Sequence, residues 1–212
     1  MPLKDYIRRS STRRHTRYWK TRKIDWEKDY LLTWTHPHRQ LIIDFLKTKS
    51  FGSVCELGCA SGPNLVRIRK EFPSVQLGGV DVAPDAIALA RRVFPDGIFE
   101  VRSAHDLFFS DKSVDVTLTD MALIYLSKRE FRKALKEIRR ITRKYCIFVE
   151  FHHVSWFKRL ALKLGVGYNA YDWPKELEAA GFHDIEIRKI RENEWPDGEA
   201  QRAFGFIITC RV

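Results

Sequence analysis

The chain has 212 residues and a formal net charge of +11, and 44% of its residues are hydrophobic. This length favours a single domain with a full core, and the composition is typical of a soluble globular protein. No run approaches the roughly 18 apolar residues of a membrane-spanning helix, so no such span is expected. The N-terminus lacks the apolar core of a secretory signal, and we therefore expect a cytoplasmic location.

The first 23 residues form a strongly basic leader. Between Lys4 and Lys23 the chain carries nine lysines and arginines against Asp5 alone. Such a segment either attracts polyanions, or it is a solvated tail without a partner. We predict a flexible leader over residues 1–23 and one folded domain over residues 24–212.

The cysteines give no sign of a metal site. Their spacing fits neither a zinc site nor a disulfide framework, as the positions show: Cys55, Cys59, Cys146 and Cys210. Three of them lie in or beside apolar, strand-like runs, where cysteine behaves as a small hydrophobic residue. We expect four reduced thiols and no bound metal.

Residues 24–50 are predicted to form a helical lid. Within them, Leu41, Ile42, Phe45 and Leu46 recur at helical spacing behind the turn-prone Pro37. Aromatic residues are dense in and just before this segment: Tyr18, Trp19, Trp26, Tyr30 and Trp34. These rings either cover a cofactor and its acceptor, or they pack the helix onto a sheet.

From residue 53 onward, short apolar runs alternate with amphipathic segments, a pattern typical of parallel strands joined by crossover helices. Strands are predicted at residues 53–57, 75–80, 98–102, 114–119 and 145–151. Helices are predicted at 63–72, 84–93, 131–141 and 174–180, and two further β-like runs at 185–190 and 204–210 are expected to pair antiparallel. The predicted fold class is α/β: a Rossmann-like, doubly wound, mostly parallel seven-stranded sheet with an antiparallel C-terminal hairpin.

Small residues stand at alternate positions between Glu56 and Gly62, directly after the first strand. They let the backbone turn sharply and approach a ligand, while the next helix presents free N–H groups. A dinucleotide-binding turn would have its third glycine where Pro63 stands, and Glu56 would repel a pyrophosphate but suit an ammonium group. Asp81 ends the second strand, where an acidic residue accepts hydrogen bonds from ribose hydroxyls.

Residues 54–65 resemble the first motif of the class I S-adenosylmethionine (SAM)-dependent methyltransferases, and residues 79–87 resemble a second motif of that family. The resemblance continues at residues 113–116 and 180–182 and covers the chain from about Leu41 onward. It implies SAM as the cofactor and in-line transfer of its methyl group to an oxygen or nitrogen nucleophile. It also implies the residues that bind SAM: Glu56, Gly58, Cys59, Ala60, Gly62, Asn64, Asp81, Val82, Ser103, Ala104 and Asp120.

Two positions depart from the family pattern. Ala60 replaces a glycine, which a small residue can satisfy if its φ angle stays negative. Ser103 stands where many relatives have an aspartate that contacts the adenine amino group. The resemblance then leaves the adenine contact to Ser103, Ala104 or Asp106.

The candidate bases are Asp120, Glu150, His152 and His153, because parallel sheets place their active sites at the C-terminal ends of their strands. A histidine titrates near neutral pH, where a general base must act. The predicted catalytic residues are therefore His152 and His153, together with Asp120. Either histidine is alternatively a packed or solvent-exposed structural residue.

Two kinds of acceptor remain under consideration. The chain lacks the Asp-Pro-Pro-Tyr type of motif of amino-group methyltransferases. Residues 120–122 resemble a segment of RNA ribose methyltransferases, but Glu150 stands where those enzymes have a lysine. A small-molecule acceptor is therefore favoured. The alternative is an RNA-directed methyltransferase or RNA-binding protein that uses the basic leader, and a third interpretation is a non-catalytic partner subunit.

Overall fold

The computed structural model describes residues 12–195 and 199–212, and its centre is a single sheet. The strands are β1 (Ser53–Leu57), β2 (Gln76–Asp81), β3 (Ile98–Val101), β4 (Val114–Asp120), β5 (Thr142–Phe151), β6 (His183–Lys189) and β7 (Gly205–Arg211). Their order is β3-β2-β1-β4-β5-β7-β6. Strands β1 to β5 run parallel, whereas β7 pairs antiparallel with β5 and β6. The predicted fold class is confirmed.

The α-helices in the described ranges are α1 (Thr12–Thr21), α2 (His38–Lys47), α3 (Pro63–Glu71), α4 (Pro84–Val93), α5 (Lys128–Ile141), α6 (Trp156–Val166), α7 (Trp173–Ala179) and α8 (Glu199–Phe204). Short 3-10 turns occur at Leu31–Thr35, Leu123–Tyr125 and Glu192–Glu194. Within residues 12–195 and 199–212, no helix combines the length and the apolar character that crossing a bilayer requires.

Helices cover both faces of the sheet. On one face, Ile42 of α2, Leu65 of α3 and Ile87 of α4 belong to one apolar cluster. On the other face, Phe131 of α5 and Trp173 of α7 belong to a second cluster. Each such buried side chain contributes roughly 1.5–3 kcal/mol to folding. The sheet is therefore the middle of three layers, and its functional loops lie at its carboxyl-terminal edge.

The last strand of the chain lies inside the sheet, and the strand before it forms the edge. Cys210 of β7 pairs with Cys146 of β5, and both side chains are buried. Most side chains of β6 are exposed, and many are charged. Charged residues on an edge strand discourage pairing with another chain. Because β7 lies between β5 and β6, the sheet ends at β6, whose side chains are suited to solvent.

Three helices are absent from the predicted elements. Within the predicted leader, residues 12–21 form α1, and Trp19 packs 6.4 Å from Trp26 and 6.3 Å from Tyr30, measured between ring centroids. Residues 1–11 of the leader lie outside the described residues. Helices α6 and α8 were not predicted either; in α6 Leu162 is the buried residue, so the core-facing pattern is weak.

Candidate cofactor-binding site

A cavity of about 210 Å³ opens at the carboxyl-terminal ends of β1, β2 and β4. The predicted cofactor residues in its wall are Gly58, Ala60, Asp81, Val82, Ser103, Ala104 and Asp120. Its other walls are largely aromatic and include Trp19, Trp26, Tyr30 and Tyr125. Ligands of open α/β sheets bind in crevices of this kind. The fold thus brings most of the predicted binding residues to one place.

The turn after β1 has a left-handed backbone at three positions. The φ angles are +72° at Gly58, +47° at Ala60 and +90° at Gly62. A Cβ atom at Gly58 would lie 2.3 Å from the Cβ of Ala122, so the cradle is open because glycine has no side chain. The expectation of a negative φ at Ala60 is wrong. Alanine tolerates this backbone at a cost of about 1–2 kcal/mol.

Asp81 links the turn after β1 to the start of α4 through hydrogen bonds. One carboxylate oxygen accepts a hydrogen bond from the backbone N–H of Ala60 and the other from that of Ala83, both at 2.9 Å. Burial raises the pKa of Asp81, and these backbone donors oppose the rise. A carboxylate has about four lone-pair sites, and the backbone of Ala60, Ala83 and Val82 leaves at least one for a ligand hydroxyl. The side chain therefore fits ribose recognition and also shapes the turn.

Asp120 is the centre of a buried polar network that the sequence patterns did not reveal. Its Oδ2 accepts hydrogen bonds from His38 Nε2 at 3.1 Å, Arg39 at 2.7 Å and Asn64 Nδ2 at 3.0 Å. Arg39 is 7% exposed and also donates to Asn64 at 2.5 Å and to the backbone oxygen of Thr33 at 3.0 Å. Burial opposes ionisation of Asp120, but His38 and Arg39 outweigh it and hold its pKa well below the ordinary value. Asp120 is therefore an anchored carboxylate and a weak proton acceptor.

Comparison with known proteins points to one family. Residues 54–145 match the family described as a methyltransferase domain. A demethylmenaquinone methyltransferase of Thermotoga maritima is 24% identical over 106 residues, which are 50% of this chain and 45% of that enzyme. The chain thus spans less than half the length of this curated relative.

Solved structures share the fold. A SAM-dependent methyltransferase from Thermotoga maritima has a TM-score of 0.63 at 16% identity, covering 92% of this chain and 97% of that one. Residues 54–145 thus match a methyltransferase domain, and the chain shares the fold of this SAM-dependent methyltransferase. A chain from the complex of the Haloferax volcanii Trm112 methyltransferase activator with a methyltransferase has a TM-score of 0.66 at 20% identity, covering 91% and 99%. The family match and the shared fold indicate SAM as the cofactor.

Glu56 lies beneath the cavity and is absent from its lining. The side chain is 2% exposed, and its Oε1 accepts a hydrogen bond from Asn64 Nδ2 at 2.6 Å, which links it to the Asp120 network. Burial raises the pKa of Glu56 to about 8. Glu56 is therefore connected through Asn64 to Asp120, which lines the cavity.

We expect the free energy of unfolding to fall as the pH rises from about 5 to about 8, and Glu56→Gln to flatten this fall. The folded protein holds the Glu56 proton more tightly than the unfolded chain, because the pKa of about 8 replaces an ordinary value of 4.5. Stability is then fully present below the unfolded pKa and is lost as the pH approaches the folded one. Urea unfolding at several pH values measures the slope.

The matched control is Glu178→Gln, which removes an exposed carboxylate of α7 and should leave the slope unchanged. Burial also raises the pKa of Glu150, to about 7, so part of the slope remains in the Glu56 variant. A slope in Glu56→Gln equal to that of the unaltered protein would show that Glu56 is ionised in the fold.

Cys59, Gly62 and Asn64 support the turn from below the cavity. Cys59 is buried, and its N–H donates to the backbone oxygen of Val80 at 3.0 Å. Gly62 precedes α3, where a Cβ atom would lie 2.8 Å from the ring of Phe94. Asn64 joins Glu56 to Asp120. None of the three is in the cavity wall, and each supports the turn or the network beneath it.

His152 and His153 lie away from the cavity lining. The Nδ1 of His152 accepts a hydrogen bond from the backbone N–H of Trp173 at 3.2 Å, and the Nδ1 of His153 accepts one from Ser155 at 2.9 Å. Burial lowers the pKa of both. Glu150 is also buried, where it accepts from the backbone N–H of Ala122 at 3.0 Å and of Leu123 at 2.9 Å. These three candidate bases make local hydrogen bonds and do not line the cavity.

The aromatic residues of the lid both pack against one another and line the cavity, the two roles considered for them. Trp26 and Tyr30 line the cavity, and their ring centroids are 5.0 Å apart. Trp19 of α1 lies 5.5 Å from the ring of Tyr125, so it bridges the lid and the loop after β4. Burial raises the pKa of Tyr30 to about 12, which keeps its phenol neutral. The rings therefore pack the N-terminal segment and enclose the site.

A second cavity of about 700 Å³ adjoins the first. The two share wall residues, which are His15, Trp19, Tyr30 and Tyr125. The additional wall is formed by Tyr18, Arg22 and residues 165–168. Arg22 lies over the ring of Tyr18, with its Cζ 5.1 Å from the centroid. The second cavity thus offers aromatic surface and one cation beside the candidate cofactor site.

Proposed function

We propose that this chain transfers the methyl group of SAM to an oxygen or nitrogen nucleophile on a small molecule. The observation that supports this most directly is the pair of adjoining cavities, one walled by the family's binding residues and the other by aromatic side chains. A methyl donor and an acceptor must meet in line, and shared walls allow this. The relative from Thermotoga maritima is named for a small-molecule acceptor, demethylmenaquinone.

The first cavity suits the three parts of SAM. Asp81 would accept hydrogen bonds from the ribose, and Ser103 with Ala104 would border the adenine. The turn at Gly58 and Ala60 would face the methionine part, whose ammonium group the anchored Asp120 would attract. Bound SAM supplies an electrophilic methyl group on a sulfonium. The chain itself then contributes mainly binding, orientation and exclusion of water.

The second cavity suits an acceptor with a flat or apolar body. Tyr18, Trp19 and Tyr168 provide stacking surface, and Arg22 provides a positive charge for an anionic substituent. His15 lies in the wall of both cavities, so it is placed to receive a proton from the nucleophile. This assigns to His15 the role that the sequence analysis gave to His152 and His153.

We expect Asp81→Ala to weaken SAM binding by about 1–3 kcal/mol, because the ribose loses its hydrogen-bond acceptor. Isothermal titration calorimetry with SAM measures this loss. Asp81 also holds the N–H groups of Ala60 and Ala83, so the melting temperature is recorded alongside the affinity. Asp85→Ala removes an exposed carboxylate four residues further along and should leave the affinity unchanged.

Tritiated methyl transfer from SAM to separate metabolite, RNA and protein fractions tests the acceptor class. Label in a metabolite fraction supports the proposal. Label confined to RNA would replace the small-molecule acceptor with the RNA-directed alternative. Calorimetry that shows binding of NAD and none of SAM would refute the proposed function altogether.

A further inference from the structure

Helix α6 exposes a large apolar surface that nothing in the described part of the chain covers. Trp156 is 68% exposed and Phe157 is 65% exposed. Leu160, Leu164 and the flanking Val154 and Val166 are exposed as well. Soluble proteins rarely expose contiguous apolar patches of this kind, and such patches mark interaction sites.

The sequence of α6 places these side chains on one face. At 3.6 residues per turn, Trp156, Leu160, Leu164 and Phe157 fall within an arc of about 100°. Lys163 lies just beyond one edge of this arc, whereas Lys158 lies far beyond the other edge, towards the side of Leu162. Leu162 faces the opposite way and is buried. The helix therefore has an outward apolar face with Lys163 along one edge.

The charge of the surrounding segment has one sign. Residues 151–171 contain Lys158, Arg159 and Lys163 but no aspartate or glutamate. Arg159 donates to the backbone oxygens of His153 at 2.6 Å and Val154 at 2.7 Å, which secures the start of the helix. The whole chain carries a formal charge of +11. An occupant that is apolar at its centre and carries negative charge beside Lys163 suits this face, although Asp172 and Glu176 line a pocket with Leu160 and Lys163.

We propose that α6 docks the protein onto an anionic lipid membrane, with the helix axis in the plane of the surface. Trp156, Phe157, Leu160 and Leu164 would enter the boundary between headgroups and acyl chains, where tryptophan is favoured. Lys163 would extend its amine to the phosphates while its stem stays in apolar surroundings. A lipid surface supplies both the apolar centre and the anionic rim.

In the docked orientation the second cavity would lie near the lipid, an inference that rests on the proposed function. Gly165 and Val166, at the end of α6, belong to the wall of the second cavity. Membrane docking would therefore hold the mouth of that cavity close to the lipid, which suits an acceptor dissolved in the membrane. Lipid binding itself needs neither SAM nor an acceptor, so its failure and a failure of methyl transfer are separate results.

Vesicle co-sedimentation of the full chain tests the docking. We expect binding to phosphatidylcholine vesicles in which phosphatidylglycerol replaces about one third of the lipid, and much weaker binding to phosphatidylcholine alone. Trp156→Ser combined with Phe157→Ser should lower the partition coefficient by roughly tenfold or more. Lys163→Gln should lower binding to the anionic vesicles alone. Raising the salt from about 0.1 M to about 1 M should weaken binding.

The matched control is Ile98→Thr, which removes apolar surface from β3 at a residue that is 58% exposed. It should bind vesicles as the unaltered protein does. Melting temperatures show that each variant is folded. The proposal is overturned if the unaltered chain stays in the supernatant with anionic vesicles, or if the Trp156 and Phe157 variant binds undiminished. A dimer that this variant breaks, without vesicle binding, would assign the face to self-association.

Discussion

Gly58→Val is expected to lower SAM affinity at least about a hundredfold, close to 3 kcal/mol. The new Cβ atom would lie 2.3 Å from the Cβ of Ala122, and a β-branched residue is strained at a φ of +72°. The turn must then shift, and it forms the floor of the proposed binding site. Calorimetry with SAM measures the loss.

Gly167→Val separates the clash from the backbone strain. Gly167 also has a left-handed backbone, with φ at +83°, but a Cβ atom there meets nothing within 4 Å. This variant should lose some stability through strain and keep its SAM affinity. Equal affinity losses in both variants would mean that the Gly58 effect comes from general destabilisation and not from the cradle.

Arg39→Met is expected to destabilise the fold by about 3–5 kcal/mol. Arg39 is 7% exposed and donates to Asp120 and Asn64, so its removal leaves a buried carboxylate with fewer partners. Methionine replaces much of the apolar stem of Arg39, so the loss of stability reports mainly the lost charge and hydrogen bonds. Chemical denaturation at neutral pH measures the change.

Arg69→Met is the matched control. Arg69 pairs with the exposed Asp96 at 2.8 Å, and surface ion pairs contribute little because water screens them. Its melting temperature should stay close to that of the unaltered protein. An Arg39 variant as stable as this control would show that Asp120 remains ionised and satisfied by His38 and Asn64 without the guanidinium.

The proposed acceptor site and the proposed membrane surface both involve parts outside the central sheet, namely the N-terminal segment and α6. Trp19 of α1 and Tyr30 of the lid wall both cavities, and the end of α6 closes the second one. Apart from Tyr125, the wall of the proposed acceptor site therefore lies outside residues 54–145, which match the family model.

The sequence by itself determined the parallel sheet, the turn from Glu56 to Gly62 and the place of Asp81. Each depends on neighbours within one strand-turn-helix unit, where the order of residues restricts the geometry directly. The strand predictions held for the same reason, since buried parallel strands are continuous apolar runs. The pattern did not reveal that Ala60 takes a positive φ. That angle belongs to a turn held by hydrogen bonds to the next strand, in which Gly58 and Cys59 donate to Val80 and Ala60 donates to Asp81.

Only the tertiary structure decided which polar residues meet. Arg39 and Asp120 are 81 positions apart, and no periodicity relates a helix of the lid to the end of β4. His152 and His153 follow β5 at the expected edge, yet local hydrogen bonds to Trp173 and Ser155 hold their rings outside the cavity wall. The outward face of α6 was likewise hidden, because an apolar helical pattern does not state whether it points to the core or to solvent. Direction and long-range contact arise when the layers pack, and local sequence carries neither.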